Sequence, residues 1–393
     1  MDPKLFQNSA AGRVIKIGQG DVAYYAFLPN PLPPDLNPDW QLSSALSEAD
    51  RALSELAGLG RTLPNPNLFI RPFLRREAVL SSKIEGTKSD LTDLYMYEGG
   101  QLTLPGVDPF LPENADVREV YNYVRALEDG LSQLEQTPVS MWMLRGLHKT
   151  LLQDVRGQYA TPGEYRTRQN WIGGNTIHDA ICVPPPVIEL EPALNNLEQY
   201  FYRDGYPPLI RLALIHYQFE AIHPFVDGNG RIGRLLLSLL LVSWKLLPLP
   251  LLHLSAYIEP HREEYYDLLL GVSQKGAWKD WLMFFLHTVR VQACDTVDRI
   301  KAIQDIQRLW HTRLREAHAA ASTIQLADYL FEAPILTIPR AQQILGMSHR
   351  GATLVVQKLV SFGVLSPVEK SGHAKLYLAR DILDMIVEEY IAQ

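Results

Sequence analysis

The residues whose types are best suited to catalysis lie close together, in the segment His223-Pro224-Phe225-Val226-Asp227-Gly228-Asn229-Gly230-Arg231-Ile232-Gly233-Arg234. A histidine accepts a proton near neutral pH, and an aspartate offers the hard oxygen ligand that Mg²⁺ shares with phosphates. Two arginines at i and i+3 lie on neighbouring helix positions, from which each can hold phosphate oxygens. Small residues before them let the backbone approach an anion at a helix N-terminus. Each residue type alone has an ordinary structural explanation, but their joint occurrence predicts a functional phosphate site.

Two other phosphate motifs and one purely structural explanation compete for this segment. Gly228 to Gly233 satisfies the G-x-G-x-x-G dinucleotide pattern, which requires a preceding strand and an acidic residue about 20 positions later. A helical stripe precedes the segment instead, and neither Asp nor Glu occurs between Asp227 and Glu259. A Walker phosphate loop is excluded because no Gly-Lys-Ser/Thr follows. A plain turn between two helices explains the glycines but not the histidine or the arginines.

Two apolar helical stripes must position this segment, because residues spaced by three and four lead into it and away from it. These residues are Leu212, Ile215, Phe219 and Ile222 before the segment and Leu235, Leu236, Leu239 and Leu240 after it. The most apolar stretch, Leu235 to Leu254, is interrupted by Lys245, Pro248 and Pro250. Only Leu235 to Val242 is nearly free of polar residues, far short of the roughly 20 apolar residues that cross a bilayer, so we expect a buried core helix.

Helical periodicity covers most of the remaining chain, with two exceptions that favour strands. Helices are predicted from about Leu42 and over Phe69–Lys83, Asn114–Glu135, Ser140–Gln153 and 278–321, two short strands within Val14–Leu28, and a loop over 102–112. Between Tyr159 and Pro186, the β-prone runs Trp171-Ile172 and Ala180-Ile181-Cys182-Val183 flank Gly173-Gly174 and precede three prolines. That pattern predicts a hairpin that leaves the helical domain, with an ordinary surface hairpin as the alternative.

The last seventy or so residues have the pattern of a separate unit. A short helix over Ile324–Phe331 is followed by two helical segments joined at Gly346, the rhythm of a helix–turn–helix. Val364-Leu365 and 375–378 then predict a strand–turn–strand wing. The polar residues that suggest DNA binding are His349, Arg350, Gln357 and Lys358 on the second helix and Lys370, His373 and Lys375 in the wing. Winged helices also serve protein contacts, so both uses remain open.

The net charge, the apolar fraction and the cysteine count exclude some classes of protein. The net charge of -7 argues against a protein that coats nucleic acid generally. The apolar fraction of 47% is ordinary for a globular protein, and nothing in the chain predicts a membrane span. Two cysteines, Cys182 and Cys294, form neither a disulfide framework nor a metal site, so a reducing cytoplasm is the simplest location.

The segment 223–234 resembles the signature of the Fic family, His-x-Phe-x-(Asp/Glu)-Gly-Asn-Gly-Arg-x-x-Arg, and meets every fixed position. The resemblance implies a mainly α fold: a Fic-type helical core with a small β-hairpin flap, plus a C-terminal winged-helix-like domain. The expected domains are 1–112 (N-terminal region with an inhibitory helix), 113–290 (catalytic core), 291–322 (linking helices) and 323–393 (winged-helix-like). The implied activity is transfer of AMP from ATP to a Ser, Thr or Tyr of a target protein, with release of pyrophosphate.

The resemblance also implies a role for each matching residue. His223 would be the general base that deprotonates the attacking hydroxyl, and Asp227 would bind a Mg²⁺ that bridges two phosphates. Arg231 and Arg234 would hold the outer phosphates, while Phe225 would anchor the loop in the core. The anion hole would consist of Gly228, Asn229 and Gly230. The target-binding flap would use Ile172, Gly173 and Gly174 for backbone pairing.

A second, shorter motif lies upstream. Ser81 and Glu85 are four residues apart on one helix face, and with Gly86 they resemble the family's inhibitory pattern (Ser/Thr)-x-x-x-Glu-(Gly/Asn). A solvated glutamate before a C-capping glycine is the alternative. By the resemblance, Glu85 would pair with Arg234 and occupy the space that the γ-phosphate needs, so the resting enzyme is expected to be mostly off. In some relatives the equivalent glutamate also supports removal of AMP.

Several alternatives remain open at this point. A nucleotide-sensing, DNA-binding transcriptional regulator is the hypothesis from a different class, and salt-dependent DNA binding would support it. Within the enzyme class, UMP or phosphocholine transfer is the alternative, whereas the intact Gly-Asn-Gly-Arg argues against the phosphate-transferring branch. The expected partners are a protein that bears a hydroxyl side chain and, as further options, self-modification and a homodimer.

Overall fold

The computed structural model describes residues 1–63, 65–101, 115–155, 160–368 and 375–387, and within them the architecture is mainly helical. The chain begins with an antiparallel hairpin of β1 (Gly12–Ile17) and β2 (Tyr24–Pro29), in which Gly12 faces Pro29 and Ile17 faces Tyr24. This confirms the two strands predicted around Gly18 and Gly20, both of which have positive φ. The predicted loop over 102–112 and the expected domain boundary at 112 lie outside the described residues.

Eight helices then build the body around the signature segment. They are α1 (Trp40–Thr62), α2 (Asn67–Ile84), α3 (Leu91–Gln101), α4 (Ala115–Gln133), α5 (Met141–Leu151), α6 (Val187–Phe201), α7 (Pro208–Ile222) and α8 (Asn229–Ser243). Side-chain caps fix two of the starts: Leu42 N–H donates to Asp39 at 2.9 Å, and Met143 N–H donates to Ser140 at 3.2 Å. The spacing of apolar residues predicted α1, α2, α4, α5, α7 and α8, whereas α3 was not predicted.

The helices α7 and α8 form the centre of the core. Both are apolar on nearly all faces, as expected for buried helices, and they flank the signature loop. The expected core helix is present: α8 covers Leu235–Val242 and ends at Ser243, and Pro248 and Pro250 do not continue it. The residues Leu251 and Leu252 are nevertheless buried in the same core.

Three further helices close the body: α9 (Ser255–Ile258), α10 (Arg262–Lys275) and α11 (Trp278–Glu316). The last is a single helix of 39 residues, so the expected boundary at 290 falls within a continuous helix. It packs along α1 and α7 and reaches the C-terminal unit. No helix within the described ranges is both long and apolar enough to span a bilayer.

The C-terminal unit consists of short helices and strands. They are α12 (Ala321–Tyr329), β3 (Ile335–Thr337), α13 (Ile338–Leu345), α14 (His349–Ser361), β4 (Ser366–Val368), β5 (Leu376–Leu378) and α15 (Arg380–Val387). The strands form an antiparallel sheet in the order β3-β5-β4. Gly346 has a φ of 61° at the turn between α13 and α14, as the sequence predicted.

The first wing strand was predicted two residues too early. Val364 and Leu365 are buried, and β4 begins only at Ser366. The short apolar pair therefore packs into the core of the unit rather than starting the wing. Lys370 and His373, two of the basic wing residues, lie outside the described residues.

Candidate active site

The signature segment forms the connection between α7 and α8. His223 ends α7 in a left-handed conformation with a φ of 51°, and Gly228 precedes α8 with a φ of 79°. A left-handed φ is strained for a residue with a side chain, so the turn at His223 must be held by its surroundings. Asn229 and Gly230 occupy the first turn of α8, where backbone N–H groups have no partner within the helix.

The His223 ring is prepared to accept a proton. Its Nδ1 lies 3.3 Å from the Glu220 carbonyl oxygen, which can only accept, so Nδ1 donates and Nε2 keeps its lone pair. Burial lowers the pKa of His223 to about 4, and the charge of Arg166 acts in the same direction while the Glu220 carbonyl opposes it. The imidazole is therefore neutral at pH 7, the form that a general base requires.

Arg166, which the sequence did not indicate, holds the turn at His223. The side chain is 1% exposed, and its Nε donates to the His223 carbonyl oxygen at 2.9 Å. Nη2 donates to the carbonyl oxygen of Pro185 at 2.6 Å, and a longer contact of 3.4 Å reaches that of Ile222. These acceptors are backbone atoms distant in sequence, so no spacing in the chain could have predicted the contacts.

His148 on α5 is a second residue that sequence reasoning missed. Its ring stacks on Phe225 with centroids 3.8 Å apart and planes 10° apart. Nδ1 accepts the Gly163 N–H at 2.9 Å, so Nε2 carries the proton and donates to the Asp227 carbonyl oxygen at 3.0 Å. Burial lowers the pKa of His148 to about 4, which keeps this ring neutral as well. Phe225 is thus anchored in the core, as predicted.

The side chain of Asn229 closes the loop on itself. Its Oδ1 accepts the Phe225 N–H at 2.8 Å, and its Nδ2 donates to the Phe225 carbonyl oxygen at 2.9 Å. The amide side chain therefore bonds only within the loop, and the backbone N–H groups of Asn229 and Gly230, in the first turn of α8, are left to serve an anion.

Asp227 stands at the mouth of the loop with its side chain 51% exposed. Oδ1 accepts the Gly228 N–H at 2.7 Å and lies 3.7 Å from Nη2 of Arg231. No cluster of three or more metal-binding side chains occurs in the part of the chain that the structure describes. A cation at Asp227 would therefore need oxygens from a ligand such as a polyphosphate.

Arg234 is buried and is bound by both residues of the upstream motif. Its Nε donates to Ser81 Oγ and its Nη2 to the Ser81 carbonyl oxygen, each at 2.8 Å. Nη2 also donates to Glu85 Oε1 at 2.7 Å. Burial alone would lower the pKa of Arg234, but the Glu85 carboxylate outweighs it and raises the pKa above the usual range. The expected pairing of Glu85 with Arg234 is present in this structure.

Gly230 and Gly86 make that pairing sterically possible. A Cβ added at Gly230 would lie 2.2 Å from Glu85 Oε1, so only glycine admits the carboxylate this close to α8. Glu85 follows the last turn of α2, and Gly86 then adopts a φ of 95°, which ends the helix. The Glu85 carboxylate consequently lies against the first turn of α8, where the anion hole is predicted.

Arg231 is held by a separate carboxylate. Its Nη1 lies 3.4 Å from Oε2 of Glu119 on α4, and Thr87 Oγ1 donates to the same oxygen at 3.1 Å. Burial raises the pKa of Glu119, and Arg231 opposes that shift. Glu119 and Thr87 were not predicted, because Glu119 lies 112 residues from Arg231 and 32 from Thr87 in sequence.

The predicted flap has less strand structure than expected. Trp171-Ile172 and Ala180–Val183 pair only through one antiparallel bridge, in which Ile172 N–H donates to the Cys182 carbonyl oxygen at 2.8 Å. Gly173 and Gly174 have φ values of 67° and 73°, and added Cβ atoms would meet Ile181 and the Asp179 backbone at 2.5 Å. The tight glycine turn thus shortens the hairpin and leaves backbone on its outer edge unpaired among the described residues.

One cavity of about 330 Å³ joins these parts. The flap, α7, α8 and α10 surround it, and the residues that matter for the site are Glu85, Gly173, Glu220, His223, Arg234 and Tyr265. Glu220 is a further unpredicted member: burial raises its pKa to about 8, Arg234 opposes this and Glu85 adds to it. The site therefore combines a neutral base, a helix N-terminus, buried arginines and a cavity large enough for a bound organic group.

The fold and the cavity define a helical protein with a site suited to a phosphate ester, and sequence comparisons identify its family. The sequence profile of the Fic/DOC family N-terminal region matches residues 43–132, and that of the Fic/DOC family matches residues 138–241. The chain belongs to the Fic/DOC family. It is accordingly an enzyme of the nucleotidyltransferase class.

Individual relatives agree with this assignment. A probable protein adenylyltransferase of Aquifex aeolicus is 23% identical over 314 residues, 79% of this chain and 87% of that protein. The protein adenylyltransferase Fic of Aedes aegypti is 32% identical over 125 residues, 31% of this chain and only 22% of that protein. A crystal structure of a Fic family protein from Desulfovibrio desulfuricans aligns with a TM-score of 0.56 at 20% identity, covering 88% of this chain and 98% of that one. This last likeness concerns the fold alone.

Proposed function

We propose that this protein transfers AMP from ATP to the hydroxyl of a Ser, Thr or Tyr in a target protein and releases pyrophosphate. The observation that carries the proposal is the neutral His223, which lines the same cavity as Gly230 in the first turn of α8 and Arg234. A proton acceptor beside an anion-binding helix N-terminus is the arrangement that attack of a hydroxyl on a phosphate requires. The adenylyltransferase relatives support the same reaction.

The chain's own residues divide the reaction between them. Nε2 of His223 takes the proton from the attacking hydroxyl, and the α-phosphate gains a bond to that oxygen as its bond to the β-phosphate oxygen breaks. Backbone N–H groups at Asn229 and Gly230 stabilise the charge that builds on the α-phosphate, and that of Gly228 joins them only when it leaves Asp227 Oδ1. Arg231 and Arg234 hold the outer phosphates and thereby orient the pyrophosphate leaving group.

Asp227 fits a Mg²⁺ ion that arrives with the nucleotide. Its carboxylate is half-exposed at the loop mouth, and Oδ2 has no hydrogen-bond partner among the described residues. Mg²⁺ commonly takes one or two protein carboxylates together with substrate phosphates and water. When bound, the ion would neutralise phosphate charge.

Glu85 would make the resting enzyme inactive. Its carboxylate occupies one face of Arg234 and lies directly against Gly230, where a phosphate would need to approach. An ATP molecule whose outer phosphates cannot reach Arg234 would bind in a pose unsuited to in-line attack. Removing the carboxylate would free both the guanidinium and the space beside α8.

The flap would hold the target by strand addition. Both backbone groups of Ile172 are paired within the hairpin, whereas Gly173 and Gly174 offer theirs, so an extended target segment could pair beside the two glycines without recognition of many side chains. A hydroxyl carried by that segment would then point toward His223, which lines the same cavity as Ile172 and Gly173.

The test compares Glu85→Gly with the double variant Glu85→Gly/His223→Ala, each incubated with α-labelled ATP and a cell lysate. We expect label on protein with the single variant and a loss of at least about 100-fold with the double variant, since general base catalysis contributes about that much. Mass spectrometry identifies the modified side chain, and parallel reactions with labelled UTP or CDP-choline test the other donors. Undiminished transfer by the double variant would falsify the assignment of His223.

A further inference from the structure

The segment from Tyr165 to Asn170, here called the bridging segment, contacts the signature loop on one side and the exit of the flap on the other. Toward the loop, the Arg166 backbone N–H donates to the Pro224 carbonyl oxygen at 3.0 Å, and its side chain donates to that of His223 at 2.9 Å. Toward the flap, the same guanidinium donates to the Pro185 carbonyl oxygen at 2.6 Å. One buried side chain thus touches both parts.

The side-chain amides of two nearby residues also bond one to the loop and one to the flap exit. Asn170 Nδ2 donates to the Phe225 carbonyl oxygen in the loop, and Gln169 Nε2 donates to the Pro184 carbonyl oxygen at the flap exit, both at 3.0 Å. The bridging segment therefore fixes the loop and the flap relative to each other through side-chain donors that reach backbone carbonyls on both sides.

The charge of Arg166 is unusual for a purely structural contact. No carboxylate forms an ion pair with it within the described ranges, and burial lowers its pKa to about 10, which still leaves it charged at pH 7. Burying a cation without an acid is unfavourable unless several good acceptors surround it. Here the acceptors include the last carbonyls of α7, where the helix dipole favours positive charge.

We propose that Arg166 is a positioning residue that sets the distance between the flap and Nε2 of His223, and so places the target hydroxyl for attack. This inference rests on the proposed function, because the flap is where the target would bind. Among the described residues Arg166 makes no hydrogen bond to the first turn of α8 or to Arg234, so we infer that it acts on the acceptor side of the reaction rather than on nucleotide binding. Misplacement by about 1 Å lowers a rate by about 100-fold.

The experiment uses the full chain with Glu85→Gly as parent and adds Arg166→Met, Arg166→Lys or Arg168→Met. Arg168 is exposed and two residues away, so Arg168→Met is a matched control for the loss of one charge. For each variant, ATP affinity, label transfer at saturating ATP and hydrogen exchange at the Ile172 and Cys182 amides are measured, together with the melting temperature.

We expect Arg166→Met to lower transfer about 100-fold while ATP affinity stays within about threefold. Arg166→Lys keeps the charge and a donor, so it should recover to within about tenfold of the parent, and Arg168→Met should match the parent. The two flap amides should exchange faster in Arg166→Met than in Arg168→Met, because the flap exit has lost its bond.

Two results would overturn the inference: parent-like transfer by Arg166→Met, or an equal fall in ATP affinity and transfer with no recovery in Arg166→Lys, which describes a structural role only. If the Glu85→Gly parent itself transfers no label, the proposed function fails. The exchange of Ile172 and Cys182 still decides in that case whether Arg166 holds the flap.

Discussion

The two halves of the signature segment are held in different ways. The front half, residues 223–227, is fixed by Arg166, His148 and Asn229, which bond to its backbone. The back half, residues 228–234, is held through its two arginines, which contact the carboxylates of Glu85 and Glu119. Carboxylates carry the same sign of charge as ATP phosphates, so a nucleotide competes with the contacts of the back half and leaves those of the front half intact. The contacts of the front half therefore stay in place when a ligand binds. A ligand or a mutation can change the contacts of the back half.

The largest effect is expected from breaking the front half at His148. His148→Leu removes the donor to the Asp227 carbonyl and the ring stacked on Phe225, so the loop that carries the base loses its support. In the Glu85→Gly background we expect label transfer to fall about 100-fold. Glutamine can both accept the Gly163 N–H and donate to Asp227, so His148→Gln should retain most of the activity.

Trp142→Ala is the control for this prediction, because Trp142 lies on the same helix with its side chain exposed. It should transfer label at the rate of the parent. If His148→Leu were as active as the parent, the front half would have to be held by Arg166 and Asn229 alone.

The comparison also shows what the sequence could and could not reveal. The ends of α2 and α7, the signature, and the pairing of Glu85 with Arg234 were accessible, because each follows from local periodicity or from a family pattern. Arg166 and His148 were not, because their acceptors are carbonyl oxygens 57 and 79 residues away and any residue type provides a carbonyl. The shortened flap was missed because the glycine turn, rather than β propensity, limits its pairing.

A smaller effect should sharpen the comparison in the back half. Thr87→Val keeps the shape of a buried side chain but removes the hydrogen bond to Glu119, which ties the chain just after α2 to the partner of Arg231. A hydrogen bond contributes about 0.5–1.5 kcal/mol, so label transfer by the otherwise native chain should rise about twofold to tenfold. Thr87→Ser should behave like the native chain.

The same substitution should add nothing in the Glu85→Gly background, because the inhibitory contact is already absent there. An equal rise in both backgrounds would mean that Thr87 acts on catalysis itself and is independent of Glu85. No rise in the native chain would mean that the Glu119 contact does not help to keep α2 against α8.

The smallest effect concerns Glu220, which lies beside both halves and faces the cavity. Burial raises its pKa to about 8, so the carboxyl is neutral below that pH and becomes charged above it. Glu85 contributes to this shift, so the transition should move to somewhat lower pH in Glu85→Gly. Burial raises the pKa of Tyr217, Tyr265 and Tyr266, so these phenols stay neutral over the same range.

A new negative charge on Glu220, beside Arg234, opposes a polyphosphate, and the ATP affinity of Glu85→Gly should therefore fall about fivefold between pH 7 and pH 9. Titration calorimetry with Glu85→Gly/Glu220→Gln should show affinity that is nearly constant over this range. If both proteins lost affinity in parallel, the charge that opposes ATP would lie elsewhere in the cavity and Glu220 would be neutral throughout.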